Sequence, residues 1–417
     1  MNTILKNAKN VYNEYPRAFW TYNVIVFIDR LGGFMLYPFF ALYLTQKYDI
    51  GMATVGILFA AFSLSGFVGS ALGGALADRM GRKGVIIASL LLSSLSALGM
   101  GFAPTLAIFV AVSVIVGTLG SIGGPAHEAV VADLLPEEKR AEGYGIIRVI
   151  FNVAVIIAPP IAGLLIANSY LTLFIVDAVI STIAAGIVFF ALPETKPRAH
   201  PDAVSETMKQ TFAGYGRVFR DTPFVLFIGV TVMMTLVYMN MNTTLGVFLR
   251  DYKGLPEIGY GTLLSINATI VVALQFWLTR RLEKFKPLLM MAAGTFLYAI
   301  GFAMYGFVSG MALFIIAMVI ITIGEMVVAP FQQSLVASFA PEDMRGRYMA
   351  VSGLTWGIAF MIGPYFAGLV LDSANPNMLW LVSGFIGLLA TFGFVVLNKT
   401  HHTASAPTPS AEPAATD

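Results

Sequence analysis

Between Trp20 and Leu397 the chain runs as about twelve apolar blocks, each near twenty residues long, joined by short polar connections. A helix of roughly 20 apolar residues crosses the ~30 Å hydrocarbon core of a bilayer. A backbone in lipid must satisfy its own hydrogen bonds, and a block of this length does so as a helix. The blocks predict spans at 18–45, 53–76, 84–102, 106–131, 143–167, 169–193, 222–247, 258–280, 287–308, 311–335, 346–371 and 377–397. Only 12% of the 417 residues are charged. A soluble domain carries roughly 25%, so no large soluble core is expected beside the spans.

The placement of charge orients the spans. Of the 25 Lys and Arg, two (Arg30 and Arg148) fall at membrane depth and three (Lys47, Arg250, Lys253) on one side, which leaves 25 − 2 − 3 = 20 for the other. By the positive-inside rule both termini are expected in the cytoplasm. Met1 to Arg17 holds Lys6, Lys9 and Arg17 and no short apolar core before a cleavage site, so the first span is expected to serve as its own targeting segment. The absence of cysteine removes disulfides, thiolate nucleophiles and thiolate metal sites.

One connection is long. The expected division is a cytoplasmic N-terminus (1–17), a six-helix half (18–193), a polar linker (194–221) with room for one amphipathic helix, a second six-helix half (222–397) and a disordered tail (398–417). The halves repeat. Pro136-Glu137-Glu138-Lys139-Arg140 matches Pro341-Glu342-Asp343-Met344-Arg345, and 341 − 136 = 205. Ala158-Pro159 to Leu164 matches Gly363-Pro364 to Leu369 at the same offset, which also carries Gly56 onto Gly261 and Pro125 onto Pro330. Two halves of six spans that each begin on the same side form a parallel repeat.

Gly74-Ala75-Leu76-Ala77-Asp78-Arg79-Met80-Gly81-Arg82-Lys83 joins the second span to the third. This pattern resembles the signature loop of major facilitator superfamily transporters. The resemblance covers about residues 15–397 and implies an all-α membrane protein of about 12 transmembrane helices in two parallel six-helix repeats. In that family the loop's Asp sits near the start of the eleventh helix, and its last Arg reaches a carboxylate at the end of the fourth. It thus implies a cytoplasmic latch from Asp78, Arg82 and Asp133, with Gly74, Arg79 and Gly81 completing the motif and the latch closed in the outward-facing state. The offset places Asp78-Arg79 on Glu283-Lys284, a degenerate copy. The chain departs from drug–proton antiporters in two places. Residues 112–124 carry no charge where those proteins have an Arg, and their fifth-helix Gly-Pro motif survives only as Ala158-Pro159-Pro160-Ile161-Ala162-Gly163.

An ionisable side chain at membrane depth costs roughly 2.5–3.5 kcal/mol on insertion scales, so each one needs a reason. Asp29 lies near the middle of the first span and is a candidate proton carrier. Arg30 is about 100° further round, so the two are not expected to pair well. Glu325 lies in Gly324-Glu325-Met326-Val327-Val328-Ala329-Pro330, which is similar to the tenth helix of proton-driven bacterial multidrug antiporters. There the matching Glu serves proton coupling or cationic-drug binding. Its repeat mate is Gly120, so the carboxyl is no part of the shared scaffold. Glu128 and Arg148 lie at similar depth on adjacent spans, and their mates Gln333 and Gly353 are both uncharged, which predicts a structural ion pair. Asp177 is expected to face into its half and hold a neighbour.

The central cavity is expected between spans 1, 4, 7 and 10. Its candidate lining is Tyr22, Asn23 and Tyr37 from the first half, and Tyr238, Asn240, Asn242, Asn267, Gln332 and Trp356 from the second. Met233, Met234, Asn152 and Gln275 add to these. Flat aromatics and flexible Met suit varied amphipathic solutes. The expected function is secondary active, proton-coupled efflux of hydrophobic or cationic drug-like compounds by alternating access. The alternative is carriage of a defined metabolite or lipid-like solute on the same fold. The expected partners are a small-molecule substrate, H+ and the lipid bilayer of the cell (inner) membrane, with no nucleic acid and a monomeric chain. No nucleotide-binding Gly-rich loop, nucleophile–base pair or metal-ligand cluster stands in the sequence, so no enzyme activity, cofactor or metal is expected.

Overall fold

The computed structural model describes residues 12–167, 169–195, 215–282, 284–341 and 344–404. In the first half the helices are α1 (Arg17–Leu36), α2 (Phe40–Tyr48), α3 (Met52–Met80), α4 (Arg82–Phe102), α5 (Leu106–Gly120), α6 (Gly123–Leu134), α7 (Glu137–Ile166) and α8 (Tyr170–Ala191). In the second they are α9 (Thr222–Thr243), α10 (Leu245–Lys253), α11 (Glu257–Leu282), α12 (Pro287–Phe307), α13 (Met311–Phe339), α14 (Arg345–Leu371) and α15 (Met378–Ala404). Among the described residues, eleven continuous stretches are long and apolar enough to cross a membrane. The fourth of the twelve spans is made of two pieces, α5 and α6. Gly123, Gly124 and Pro125 follow the break at Ser121–Ile122, where glycine lowers helix propensity and proline removes a backbone donor.

The first and seventh spans break at repeat-related points for different reasons. A 3-10 turn at Tyr37–Phe39 carries Pro38 in its first positions. The offset takes Pro38 to 38 + 205 = 243, and α9 ends at Thr243. No proline stands there. Instead the Thr244 hydroxyl donates to the Asn240 carbonyl and side-chain oxygen, a local bond that competes with the helix ladder.

The stretch expected as a loop is mostly helix. α3 continues through Asp78 and Arg79 to Met80, and the whole turn is Gly81. Its φ of 92° and ψ of 159° suit only glycine, and a Cβ there would also strike the Glu194 carboxylate. In the second half residues 284–286 lie in the corresponding turn. α15 runs to Ala404, past the end expected at 397, because no Gly or Pro interrupts it there. The rest of the tail, and most of the linker with its expected amphipathic helix, lie outside the described residues.

The halves meet through α3 against α14 and α7 against α11. At the face away from the linker these crossings are backbone on backbone. A Cβ on Gly56 would stand 2.6 Å from the Pro364 carbonyl carbon, and one on Gly261 would stand 2.6 Å from the Pro159 carbonyl oxygen. These are the same contact twice, since 56 + 205 = 261 and 159 + 205 = 364. Likewise, a Cβ on Gly163 would stand 2.7 Å from Ile258 Cα, and Gly368 packs on Met52 and Ala53, with 163 + 205 = 368 and 53 + 205 = 258. Helices in lipid gain little from hydrophobic exclusion and associate by close packing of small residues. The four glycines form such a seal.

One device in the seal has no repeat mate. The Asp372 carboxylate accepts from the Met52 and Ala53 backbone amides, both at 2.8 Å, and so caps α3 from the other half. Arg250 donates to the Leu42 carbonyl and the Thr45 hydroxyl, each at 2.9 Å. Partial burial pulls the Arg250 guanidinium down, but Asp251 outweighs it and holds the pKa above the ordinary value.

Candidate functional site

The interior below the seal holds cavities on each side of the line between the halves. On the side of the second half, a cavity of about 330 Å³ is walled by Met234 and Tyr238 of α9, Tyr298 of α12, Glu325 and Gln332 of α13, and Trp356 of α14. Arg148 of α7 reaches into it from the first half. Pro330 stands five residues after Glu325 and is accommodated inside α13. The Asn267 amide donates to Glu325 Oε2 at 2.8 Å and to the Thr322 hydroxyl at 3.0 Å, which fixes the carboxylate against α11. Tyr238 also engages Glu325 and packs edge-on against Trp356 with ring centroids 5.7 Å apart. A smaller cavity of about 160 Å³ lies toward the seal, between Phe34, Asn152, Asn242, Asn267 and Glu325. Glu325 therefore forms part of the wall of both.

On the side of the first half, two adjoining cavities of about 520 and 530 Å³ share Asp29 and Arg30. Asp177 of α8 opens into one of them, 8% exposed, with its carboxylate against Gly32 of α1. His127 of α6 lines the other, and the Tyr22 hydroxyl donates to its carbonyl at 2.7 Å and lies 3.2 Å from its Nδ1.

Asp29 and Arg30 do approach one another, against expectation, at 3.8 Å. The Arg side chain is long enough to fold back across the 100° between the two positions. The contact is loose: Arg30 Nε has no hydrogen-bond partner, and the guanidinium lies 4.6 Å from the centre of the Phe151 ring.

The other candidates divide cleanly. Tyr37, Tyr238, Asn242, Asn267, Gln332 and Trp356 line cavities. Two do not. Asn240 is buried in the packing of its own half, donating to Ser383 at 3.1 Å. Asn23 is 3% exposed and donates to the Phe19 carbonyl at 2.8 Å, where an amide at i+4 satisfies its own helix. Tyr22 is drawn away from the cavity to His127. Asp177 faces inward as expected. His127 and Tyr298 were not singled out, although the offset takes His127 to the candidate Gln332 and so could have found it.

At the linker face, Arg82 Nε lies 3.4 Å from Asp133 Oδ2, as the motif implies. The pair is more enclosed than the motif suggests. Thr195 donates to the same oxygen at 3.4 Å, and the Arg82 backbone amide donates to Glu194 at 2.8 Å. The side chains of Asp78, Arg79 and Glu128 lie outside the description, and so does Gly74 as a contact site. The expected Glu128–Arg148 pair is therefore left to experiment, and Arg148 lines the cavity of Glu325. Among the described residues no three His, Asp or Glu gather as a metal centre.

The family model described as "Major Facilitator Superfamily" matches residues 23–359. A "Na(+), Li(+), K(+)/H(+) antiporter" of Planococcus maritimus is 27% identical over 367 residues, covering 81% of this chain and 86% of that protein. "Multidrug resistance protein MdtH" of Shigella flexneri is 24% identical over 375 residues, covering 88% and 90%. Among solved structures, a POT family transporter in complex with a thioalcohol-conjugated peptide superposes with a TM-score of 0.77. That match spans 92% of this chain and 96% of the other at 15% identity, a likeness of fold alone.

Proposed function

The chain belongs to the major facilitator superfamily, and from that premise we propose that it is a proton-coupled exporter of hydrophobic, cationic compounds. The observation that carries this reading is Glu325, one carboxyl in a cavity walled by Tyr238, Tyr298, Trp356 and Met234. A carboxylate away from bulk water attracts a cation strongly, and aromatic faces add to that attraction while accepting varied shapes. A proton and an organic cation compete for the same oxygens, so release of one favours loading of the other. Asn267 holds the carboxylate in place for either. The relation to MdtH, a multidrug resistance protein by name, agrees with this cargo.

The sorting of Lys and Arg puts the termini and linker in the cytoplasm of a cell whose inner membrane the chain spans. The glycine seal is then extracellular, and this conformer opens inward. Rocking about the cavities breaks the seal and closes the linker face, where Asp78, Arg79, Arg82 and Asp133 serve as the latch. Asp29 is the proton site of the first half.

Exchange of an alkali cation for H+ is a second reading. The antiporter of Planococcus maritimus favours it, as do Asp29 and Asp177 sharing one cavity. Inverted vesicles with an imposed pH gradient separate the two. Gradient-driven uptake of a lipophilic cation that is lost in Glu325→Gln supports drug export. Uptake of Na+ or K+ lost in Asp29→Asn, with no lipophilic-cation flux, would replace it by cation exchange. Lipophilic-cation flux that ignores the gradient, or survives both substitutions together, removes proton antiport.

A further inference from the structure

Among the described residues, which leave out the side chain of Glu128, Arg148 has no ion-pair partner, and it lines the cavity that holds Glu325. It stands on α7 of the first half, while Glu325 stands on α13 of the second. The two act on one another electrostatically but are not in ion-pair contact in this conformer. Among the described residues the other elements of the cavity contribute no charge: α9 brings Tyr238, α12 Tyr298, α11 Asn267, and α14 Ser352, Gly353 and Trp356. The Arg148 side chain has room to move. Gly353, its repeat mate, lines the same cavity, and a Cβ there would meet nothing within 4 Å.

We propose that Arg148 is the internal competitor of the cationic substrate, a guanidinium on one half that seeks the Glu325 carboxylate on the other and draws the linker face closed when it reaches it. This rests on the assignment of Glu325 as the cation and proton site. With Glu325 ionised and vacant, the two charges attract across the cleft. A proton on Glu325 removes the attraction, and a bound organic cation replaces it, so both leave the halves free to part at the linker face. The cargo and the proton then act on the same conformational equilibrium through one residue. A cation must displace Arg148 to bind, which sets an upper limit on how tightly a weak base is held and eases its release. A ligand earns its effect on the equilibrium only by its different affinity for the two states, and Arg148 supplies that difference.

The test uses the full chain in lipid nanodiscs. Because the natural sequence lacks cysteine, spin labels enter at Asn13→Cys and Lys284→Cys, one exposed position on each half at the linker face. Tetraphenylphosphonium is the cationic probe. In otherwise unaltered protein the label distance lengthens on acidification and on adding the probe. In Arg148→Gln, and in Arg148→Met as a second uncharged variant, the probe binds about tenfold tighter, the effect of one pKa unit's worth of charge. In both, the label distance no longer answers to pH or probe, while Arg148→Lys keeps both responses. Wild-type probe affinity and an intact pH response in both uncharged variants would overturn the proposal. So would the same changes in Glu128→Gln, which would make Arg148 half of a structural pair. Glu325→Gln separates this from the parent reading. Loss of probe binding there with unchanged Arg148 variants sinks only the present inference, whereas unchanged binding in Glu325→Gln sinks the assignment of Glu325 itself.

Discussion

Beside α13 the second half carries one carboxyl, Glu325, while the first half opposes it with Asp29, Arg30, Asp177 and His127 around α1. These spaces are copies of each other. The offset of 205 takes Asp29 to Met234, Arg30 to Thr235, His127 to Gln332, Phe151 to Trp356 and Glu325 back to Gly120. All ten positions line the cavities or, for Phe151, hold Arg30 beside them. Not one ionisable group has an ionisable mate. The seal shows the opposite behaviour, with Gly56, Gly163, Gly261 and Gly368 kept in register. Backbone approach tolerates no side chain, whereas a cavity accepts any side chain that fits, so duplication leaves the scaffold paired and the chemistry unpaired.

The comparison can be broken at its strongest point first. Gly56→Ala and Gly261→Ala each drive a methyl into backbone of the other half, and overpacking of this kind costs about 1–3 kcal/mol. Distance measurements between labels at Pro104→Cys and Ser309→Cys should show the face away from the linker opening, by similar amounts for the two mates. Opening in only one would show that the seal is not a true repeat. A smaller effect is expected from Asp372→Asn, where two charge-assisted bonds of the kind worth about 1.5–3 kcal/mol each give way to one neutral bond, because the amide keeps one accepting oxygen and its NH2 cannot accept from the second backbone amide. The same labels should report a partial opening, and Ala167→Asp, at the mate position, should not close the seal further. The smallest change is expected from Arg82→Gln. Its 3.4 Å contact with Asp133 is long for a charged hydrogen bond, and Asp133 keeps Thr195. Thermal unfolding should shift by the equivalent of about 1 kcal/mol, while transport falls more than stability does if the pair belongs to the latch. An equal loss of both would reduce it to a structural tie.

Much of this was legible before any coordinates. Twelve apolar blocks, the sorted charges and the offset announce the spans and the two halves, because membrane insertion acts on local composition. The repeat also marks the glycine and proline segments that become the seal. Local composition does not say which way a helix faces. Asn23 and Asn240 read as cavity amides and are packing bonds, since an amide on a buried face satisfies a nearby carbonyl equally well. Arg148 reads as the partner of Glu128 by depth and by the joint loss of charge at their mates, and neither reading shows that it also lines the cavity of Glu325, because depth fixes height in the membrane and leaves rotation about the helix open. His127 is ordinary by spacing and acquires its setting from Tyr22 and the Asp29–Arg30 pair across the helices.

The stretch from Gly74 to Lys83 shows the same boundary within ten residues. Its charges and glycines by themselves determine a sharp turn at a membrane face, because charge leaves hydrocarbon and glycine permits a backbone that other residues resist. Only the tertiary structure decides that the turn is Gly81 alone, that Glu194 fills the space a side chain would need, and that Thr195 shares Asp133 with Arg82. Those outcomes depend on where α6 and the end of α8 lie, and contacts between distant segments are settled by packing geometry rather than by local composition.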